Sequence, residues 1–425
     1  MGRTARDNRP NLKPVKKIEL SEKNTTWRFV LLVLLLLVAA VSFTVFLTSL
    51  LNKDKGWNVI TPSDNENIYQ GEIQLNYDLG KGDVGATAEY KAIQSLYTEK
   101  LSLAYKTFSS QSDFDGIVNI KTLSTSHNSD INTSPLLYQT LKTMTANGNR
   151  ILYYAPIFSL YSNVFYSEDD VIAKEQDPNW NYELREDINR LLPYVMSEEH
   201  IKVEFLDDEK YTLRLFVSED YLAVLSDLFI EDKISLGIFE MAFVVDYIAD
   251  TLILSDYTDG LVSSYNGYSR NLGMYDQKLT ASINEKMENR TFQTVANLSY
   301  NGSLSMVSYR NYPLFELDRL NFYLYEDGSL VSPFINLYTG LNDTLALDDM
   351  VFYSRNVSCA TLALSTYPLF ANASLMGNDI NDLTSQGIYC VYTVDKTVFY
   401  NEAVLFSDDN LKIIVTGYNK SYLMA

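Results

Sequence analysis

Residues 29–51 run for 23 positions without a charged side chain, and Leu and Val dominate them. A helix rising about 1.5 Å per residue carries such a run over about 34 Å, slightly more than the roughly 30 Å of a bilayer's hydrocarbon core. Lipid offers no partner for a free backbone amide, so a helix is the one open-chain way across. The run is too long for a signal-peptide core, and no small-residue cleavage site precedes a mature start. A helix of a globular domain would keep a strongly polar, charged face toward water, and this run has no charged residue to make one. The expectation is a single transmembrane helix.

The flanks orient it. Residues 1–28 carry eight basic groups (Arg3, Arg6, Arg9, Lys13, Lys16, Lys17, Lys23, Arg28) and three acidic ones. Between the helix and residue 72 only Lys53 and Lys55 are basic. The positive-inside rule makes 1–28 a cytoplasmic tail and puts everything after residue 51 on the far side of the membrane. The tail's net +5, set against −20 for the chain, leaves −25 on the exported part. Such a surface repels phosphate backbones and argues against nucleic acid as a partner, and its simplest use is solubility. With 46% hydrophobic residues and 32 tyrosines, the chain has the material for a real core.

Several chemistries drop out on inventory. Cys359 and Cys390 are the only cysteines and His127 and His200 the only histidines, too few for a four-ligand zinc cluster. Whether the two cysteines pair cannot be read from spacing. There is no Gly-x-Ser-x-Gly elbow and no phosphate-cradling glycine loop ending in Lys-Ser/Thr. Asn-x-Ser/Thr tripeptides, as at Asn297, Asn301 and Asn356, are frequent by chance in an Asn- and Ser-rich chain.

Along the chain, 52–71 reads as a polar juxtamembrane linker and 72–77 as a strand, before a bend at Gly80, Gly82 and Gly85. Residues 88–108 have helical spacing, with Tyr90, Ile93, Tyr97, Leu101 and Ala104 on one face, and 135–145 read as a second helix. Residues 169–200, charged and containing Pro178 and Trp180, suggest a surface excursion. Residues 203–217 alternate around Asp207-Asp208-Glu209-Lys210 like a hairpin, and 237–254 are apolar nearly all round, as in a buried helix. The C-terminal half is strand-like, with turns at Asn301-Gly302 and Asp327-Gly328. The pattern is α+β.

Six segments then stand in the order of a known family. Phe108-Ser109-Ser110 followed by Ser112-Asp113 and Asn119 is similar to "Phe-Ser-x-Tyr…Ser-Asp-Ile-Ser-x-Ile-Asn". Residues 155–161, Ala-Pro-Ile-Phe-Ser-Leu-Tyr, resemble "Gly-Pro-Leu-Val-Asp-Leu-Trp". Residues 235–246, Ser-Leu-Gly-Ile-Phe-Glu-Met-Ala-Phe-Val-Val-Asp, overlay "Asp-Leu-Gly-Gly-Ile-Ala-Lys-Gly-Tyr-Ala-x-Asp" without a gap. Residues 266–273 look like "Gly-Gly-Asn-Val-Arg-x-Leu-Gly", 333–340 like "His-Ile-x-Asp-Pro-x-Thr-Gly", and 357–364 like "Asp-Ala-x-x-Thr-Ala-Leu". The chain thus resembles the ApbE family, flavin transferases that move FMN from FAD onto a Ser or Thr of a target protein. The resemblance spans roughly residues 70–420 and implies an ApbE-like (T-fold-related) mixed domain over 72–425.

It also implies FAD as cofactor, a magnesium ion to neutralise its pyrophosphate, and an extracytoplasmic target protein. Carried over position by position, the flavin-contacting candidates are Ser112, Gly237, Met241, Asp246, Gly267, Thr339 and Gly340. The chemical positions are largely substituted: the metal Asp falls on Val357, the His on Pro333, the Lys on Met241 and the leading Asp on Ser235, so Thr361 alone remains of the metal pair. A Val cannot ligate a cation. The expectation is a degenerate, membrane-anchored homologue serving as a binding or assembly module, in a bacterium with a single membrane. Competing readings are an active transferase with metal ligands drawn from Asn336, Asp348 or Asp349, and an unrelated adhesin or sensor ectodomain. Each survivor also has a plainer use: Gly237 and Gly267 in turns or close packing, Met241 as core, Asp246 in a local hydrogen bond. Residues 83–87, ending in Ala86-Thr87, loosely resemble the acceptor sequence that such transferases modify.

Overall fold

A computed structural model describes residues 29–38, 41–42, 53–63, 68–69, 71–82, 84–273, 278–286, 292–313, 321–343, 347–371, 377–401 and 411–422. Two compact units divide the chain, Met1–Lys53 and Asp54–Ala425. In the first, 29–38 and 41–42 are helical; the rest of the 29–51 run lies outside the described residues. Among the described residues no helix is long and apolar enough to cross a membrane.

The second unit is built on a nine-stranded sheet. Its strands run Gly56–Ile60, Ile73–Leu79, Gly260–Ser264, Tyr268–Asn271, Leu304–Arg310, Asp349–Ser354, Tyr389–Val394, Thr397–Tyr400 and Asn419–Tyr422, antiparallel except for the last pair. The first of these corrects the reading of 52–71 as a linker, because Gly56–Ile60 pairs with Ile73–Leu79 as an edge strand. Only Ile60 on it is buried, while Trp57 and Val59 stay exposed, so it carries little of the apolar alternation that marks a strand.

The sheet's period-2 pattern feeds two cores. Val307, Tyr309, Met350 and Phe352 pack under the helix Cys359–Ala371, and the helices Ala86–Phe108 and Glu240–Leu254 complete the same core over neighbouring strands. Leu304, Met306, Val351 and Tyr353 face a second, three-stranded sheet of Leu411–Val415, Phe292–Tyr300 and Leu279–Lys286. Asp349–Ser354 is therefore buried at every residue. The Asn301-Gly302 turn carries the chain from one sheet to the other, and Asp327-Gly328 closes a short hairpin between Tyr323–Leu324 and Leu330–Val331.

The predicted helices appear as Ala86–Phe108 and Pro135–Met144, and the predicted hairpin as Ile201–Asp207 against Thr212–Val217. Thr87 lies in the first turn of the long helix. The supposed surface excursion is instead two helices, Asp170–Gln176 and Tyr182–Val195, which bury Ala173, Ile188, Leu191 and Val195. Cys359 and Cys390 are both buried and both free. Burial pushes the Cys390 thiol up to about 12.

Candidate functional site

The Gly237 turn organises two hollows. Leu236 is buried and Ser235 accepts the Gly237 amide at 3.0 Å, while the Ser235 amide donates to Leu152 O at 3.1 Å. Gly237 has φ +54°, a left-handed conformation that a side chain resists, yet a Cβ there would meet nothing nearer than Phe158 at 4.0 Å. The glycine serves the turn and leaves open space above it. The chain then makes a 3-10 turn, Gly237–Phe239, and enters the buried helix Glu240–Leu254.

On one side lies a cavity of about 360 Å³, walled by Phe158, Phe165, Met241, Tyr268, Phe322 and Phe334, with Glu72, Glu240 and Arg310 among its polar groups. Glu240 accepts a hydrogen bond from the Tyr69 hydroxyl. Desolvation by the surrounding protein, reinforced by Glu72, pushes the Glu240 carboxyl up to about 7. Arg310 donates to Tyr265 O at 2.9 Å. On the other side lies a cleft of about 770 Å³, walled by Arg150, Tyr154, Phe239, Tyr338, Thr361 and Tyr367 among others. Tyr154 donates to Leu337 O, and Tyr367 bonds both the Ile335 amide (2.9 Å) and carbonyl (2.8 Å), fastening the 333–338 segment between the two hollows.

No family model matches the sequence, and no curated protein matches it. The fold, however, has solved counterparts. An ApbE protein from Thermotoga maritima aligns with a TM-score of 0.52 at 12% identity, over 75% of this chain and 90% of its own. A flavin transferase ApbE from Vibrio cholerae aligns with a TM-score of 0.52 at 14% identity, over 86% and 97%. A flavinyl transferase ApbE from Pseudomonas stutzeri gives 0.50 at 12%, over 86% and 95%. This chain has the ApbE fold. It is a divergent version, and at such identities the likeness concerns the fold alone.

Within this ApbE fold the sequence-predicted residues separate. Gly237 and Met241 line the cavity, Met241 being also largely buried, and Pro333 stands on the same wall without a donor to offer. Thr361 lines the cleft, its hydroxyl 3.1 Å from that of Ser358. The other five line neither hollow. Gly267 (φ +98°) is a close-approach glycine, since a Cβ there would sit 2.0 Å from Ser308 O. Gly340 is likewise packed, since a Cβ there would sit 2.6 Å from Ile188 Cγ2, and Thr339 donates to Asp343 at 2.9 Å within the same turn. Ser112 is exposed; its amide donates to Ser109 Oγ at 3.0 Å and its carbonyl accepts Asn119 Nδ2 at 2.8 Å.

Asp246 is the instructive case, because its bond is far from local. Its carboxylate accepts the amides of Cys359 (2.9 Å) and Ala360 (2.7 Å), the first residues of the Cys359–Ala371 helix, and pairs with Arg270 at 3.1 Å. An acid at a helix N-terminus satisfies orphan amides and the dipole together. Burial raises its pKa against those bonds. Asp246 pins one helix to another.

The alternative metal ligands do not converge. Asp349 is fully buried and accepts the Asn284 amide at 2.9 Å, with Tyr312 and Ser308 hydroxyls at 3.4 and 3.5 Å; burial pushes it up to about 7. Asn336 Oδ1 accepts the Tyr338 amide at 2.9 Å, and burial raises Asp348. His127 and His200 bond Ser124 O and Ser218 Oγ, away from both hollows. Among the described residues no three His, Cys, Asp or Glu gather as a cation would require. With Val357 at the metal position, these residues do not fit a magnesium ion built as the resemblance implies.

Glu72, Glu240, Arg310 and Arg150 were not singled out from sequence. Glu240 had a signal: with Asp246 and Asp250 it is one of three acids on a helix whose other residues are largely apolar and buried, and such a charge needs a partner or a purpose. Arg150 had none, since it follows the Asn147-Gly148 turn as an ordinary loop cation.

Proposed function

We propose that this protein is a membrane-anchored, extracytoplasmic flavin-binding module of the ApbE fold that has lost magnesium-dependent transfer. The observation that carries the reading is the pairing of an aromatic cavity at the Gly237 turn with a Val at the metal position. Phe158, Tyr268, Phe322 and Phe334 offer faces for a planar heterocycle, and Glu240 and Arg310 offer polar edges to orient it. A bound flavin supplies reversible electron-accepting chemistry. This chain's residues bind it, exclude water and hold a proton at the Glu240 carboxyl. Transfer of FMN needs the pyrophosphate's charge neutralised as it breaks, and among the described residues no carboxylate cluster gathers for the cation. The 29–51 run and its basic flank support an anchor with the ApbE-fold unit outside the cytoplasm, where a protein partner would meet it.

The test is titration of the full chain in detergent with FAD, with and without magnesium, reading flavin fluorescence and AMP release. FAD binding without AMP release is the expected result. Magnesium-dependent AMP release would restore the transferase reading, and absence of FAD binding would sink the flavin reading. Protease shaving of intact cells carrying a C-terminal tag checks the topology, and a protected tag would overturn it.

A further inference from the structure

We infer that the cleft beside Arg150 is a phosphate-recognising subsite for a nucleoside phosphate, in which a fixed guanidinium takes the charge that a divalent cation would otherwise neutralise. The inference deepens the flavin reading, on which it rests for the identity of the natural ligand.

The chain has 54 acidic residues against 34 basic ones, yet among the described residues no Asp or Glu lines this cleft, whereas Lys142 and Arg150 do. Three donor bonds hold the Arg150 side chain: Nε to Val195 O at 3.0 Å, and Nη2 to Ser197 O at 3.0 Å and Ile201 O at 2.8 Å. Its guanidinium carbon stands 4.1 Å from the centre of the Tyr153 ring. These acceptors are neutral carbonyls and a ring, and among the described residues no carboxylate pairs with it; Glu198 is the acid whose field it feels. Nη1 donates to none of them. The Nε hydrogen and both Nη2 hydrogens are thus committed, and Nη1 alone keeps its two N–H groups, on a fixed guanidinium with no carboxylate pairing it, for a charge-assisted bond to a phosphate oxygen.

The rest of the lining suits the same ligand class. Lys142 adds a second cation, tethered to Asp208 at 2.9 Å on the exposed side. Thr361 and Ser365 add hydroxyl donors, and Tyr154, Phe239 and Tyr367 add faces for a base. The volume of about 770 Å³ lies within the range of small-molecule and cofactor pockets. Both hollows share the 237–239 turn and the 333–338 segment as their common wall.

The experiment is equilibrium titration of the full chain in detergent, in EDTA, with FAD, riboflavin and ADP as separate probes. FAD should bind at least about tenfold more tightly than riboflavin, with the advantage shrinking as salt rises. Arg150→Gln should remove most of that advantage and leave riboflavin affinity unchanged. Should Arg150→Gln fail to fold, Lys142→Gln, on a half-exposed side chain, should cut the advantage several-fold, and the salt series on the unaltered protein carries the test independently. Equal affinity for FAD and riboflavin, or a preference that appears only with magnesium, would overturn the subsite and leave the flavin reading standing. Binding of ADP without riboflavin would uphold the subsite and sink the flavin reading. Binding of none of the three would overturn both.

Discussion

The two hollows beside the Gly237 turn share walls but not chemistry. The smaller one is lined by two carboxyls, Glu72 and Glu240, and by Arg310 among aromatic walls; the larger one is lined by Arg150 and Lys142 and, among the described residues, by no carboxyl. The carboxyls thus stand on one side of the shared wall, with a cation among them, and only cations stand on the other, in a strongly acidic protein. The partition depends on long-range bonds: Asp246 to the Cys359–Ala371 helix, and Tyr154 and Tyr367 to the 333–338 segment. The positions that carry the ApbE resemblance divide the same way. Those at the turn line a hollow, and most of the others hold the wall.

The strongest way to break the contrast is to remove the pin. Asp246→Ala leaves Arg270 without its buried partner and two helix amides without an acceptor, and should cost about 3–5 kcal/mol in chemical denaturation. A loss below about 1 kcal/mol would show that Asp246 is not structural. Gly267→Ala forces a Cβ against Ser308 O and should cost about 3 kcal/mol, whereas Gly237→Ala carries chiefly the conformational cost of about 1 kcal/mol. Equal losses at the two glycines would erase the distinction between wall and opening.

Acid chemistry sharpens the contrast next. The Glu240 carboxyl binds its proton more tightly in the folded protein (about 7, against an ordinary 4.5), so its contribution to stability is intact below about 4.5 and is lost as pH rises through about 7. Glu240→Gln should therefore gain on the unaltered protein between pH 5 and pH 8, on the order of 2 kcal/mol in urea melts. Asp349, raised to about 7 by its own burial, should leave a residual slope in both proteins. Identical pH dependence with and without Glu240 would contradict the desolvated-acid picture. The smallest effect belongs to Ser112→Ala, within about 0.5 kcal/mol in stability and without change in FAD affinity. A clear loss of FAD affinity there would bring a third region into the site.

Much of the scaffold was legible because it follows local periodicity. The 3.6-residue spacing of Tyr90, Ile93, Tyr97, Leu101 and Ala104, the alternation around Asp207-Asp208 and the apolar run after Gly237 each reflect one element burying one face, and each appears in place. Six short segments in family order were enough to anticipate the ApbE fold, because turn glycines and buried helices constrain sequence even where chemistry is lost. The acidic balance, the uncharged 29–51 run and Val357, where the resemblance implies a metal-binding Asp, are likewise read from sequence alone. The edge strand Gly56–Ile60 was hidden, since a partner's hydrogen bonds hold it more than its own pattern does. Only the tertiary structure could decide that Asp246 reaches Cys359 across 113 positions, that Asp349 is enclosed, and that Arg150 meets Thr361 around one cleft free of acids. Those relations join residues far apart in the chain, and a carboxylate's or guanidinium's role is set by what surrounds it once folded, a quantity no linear spacing encodes.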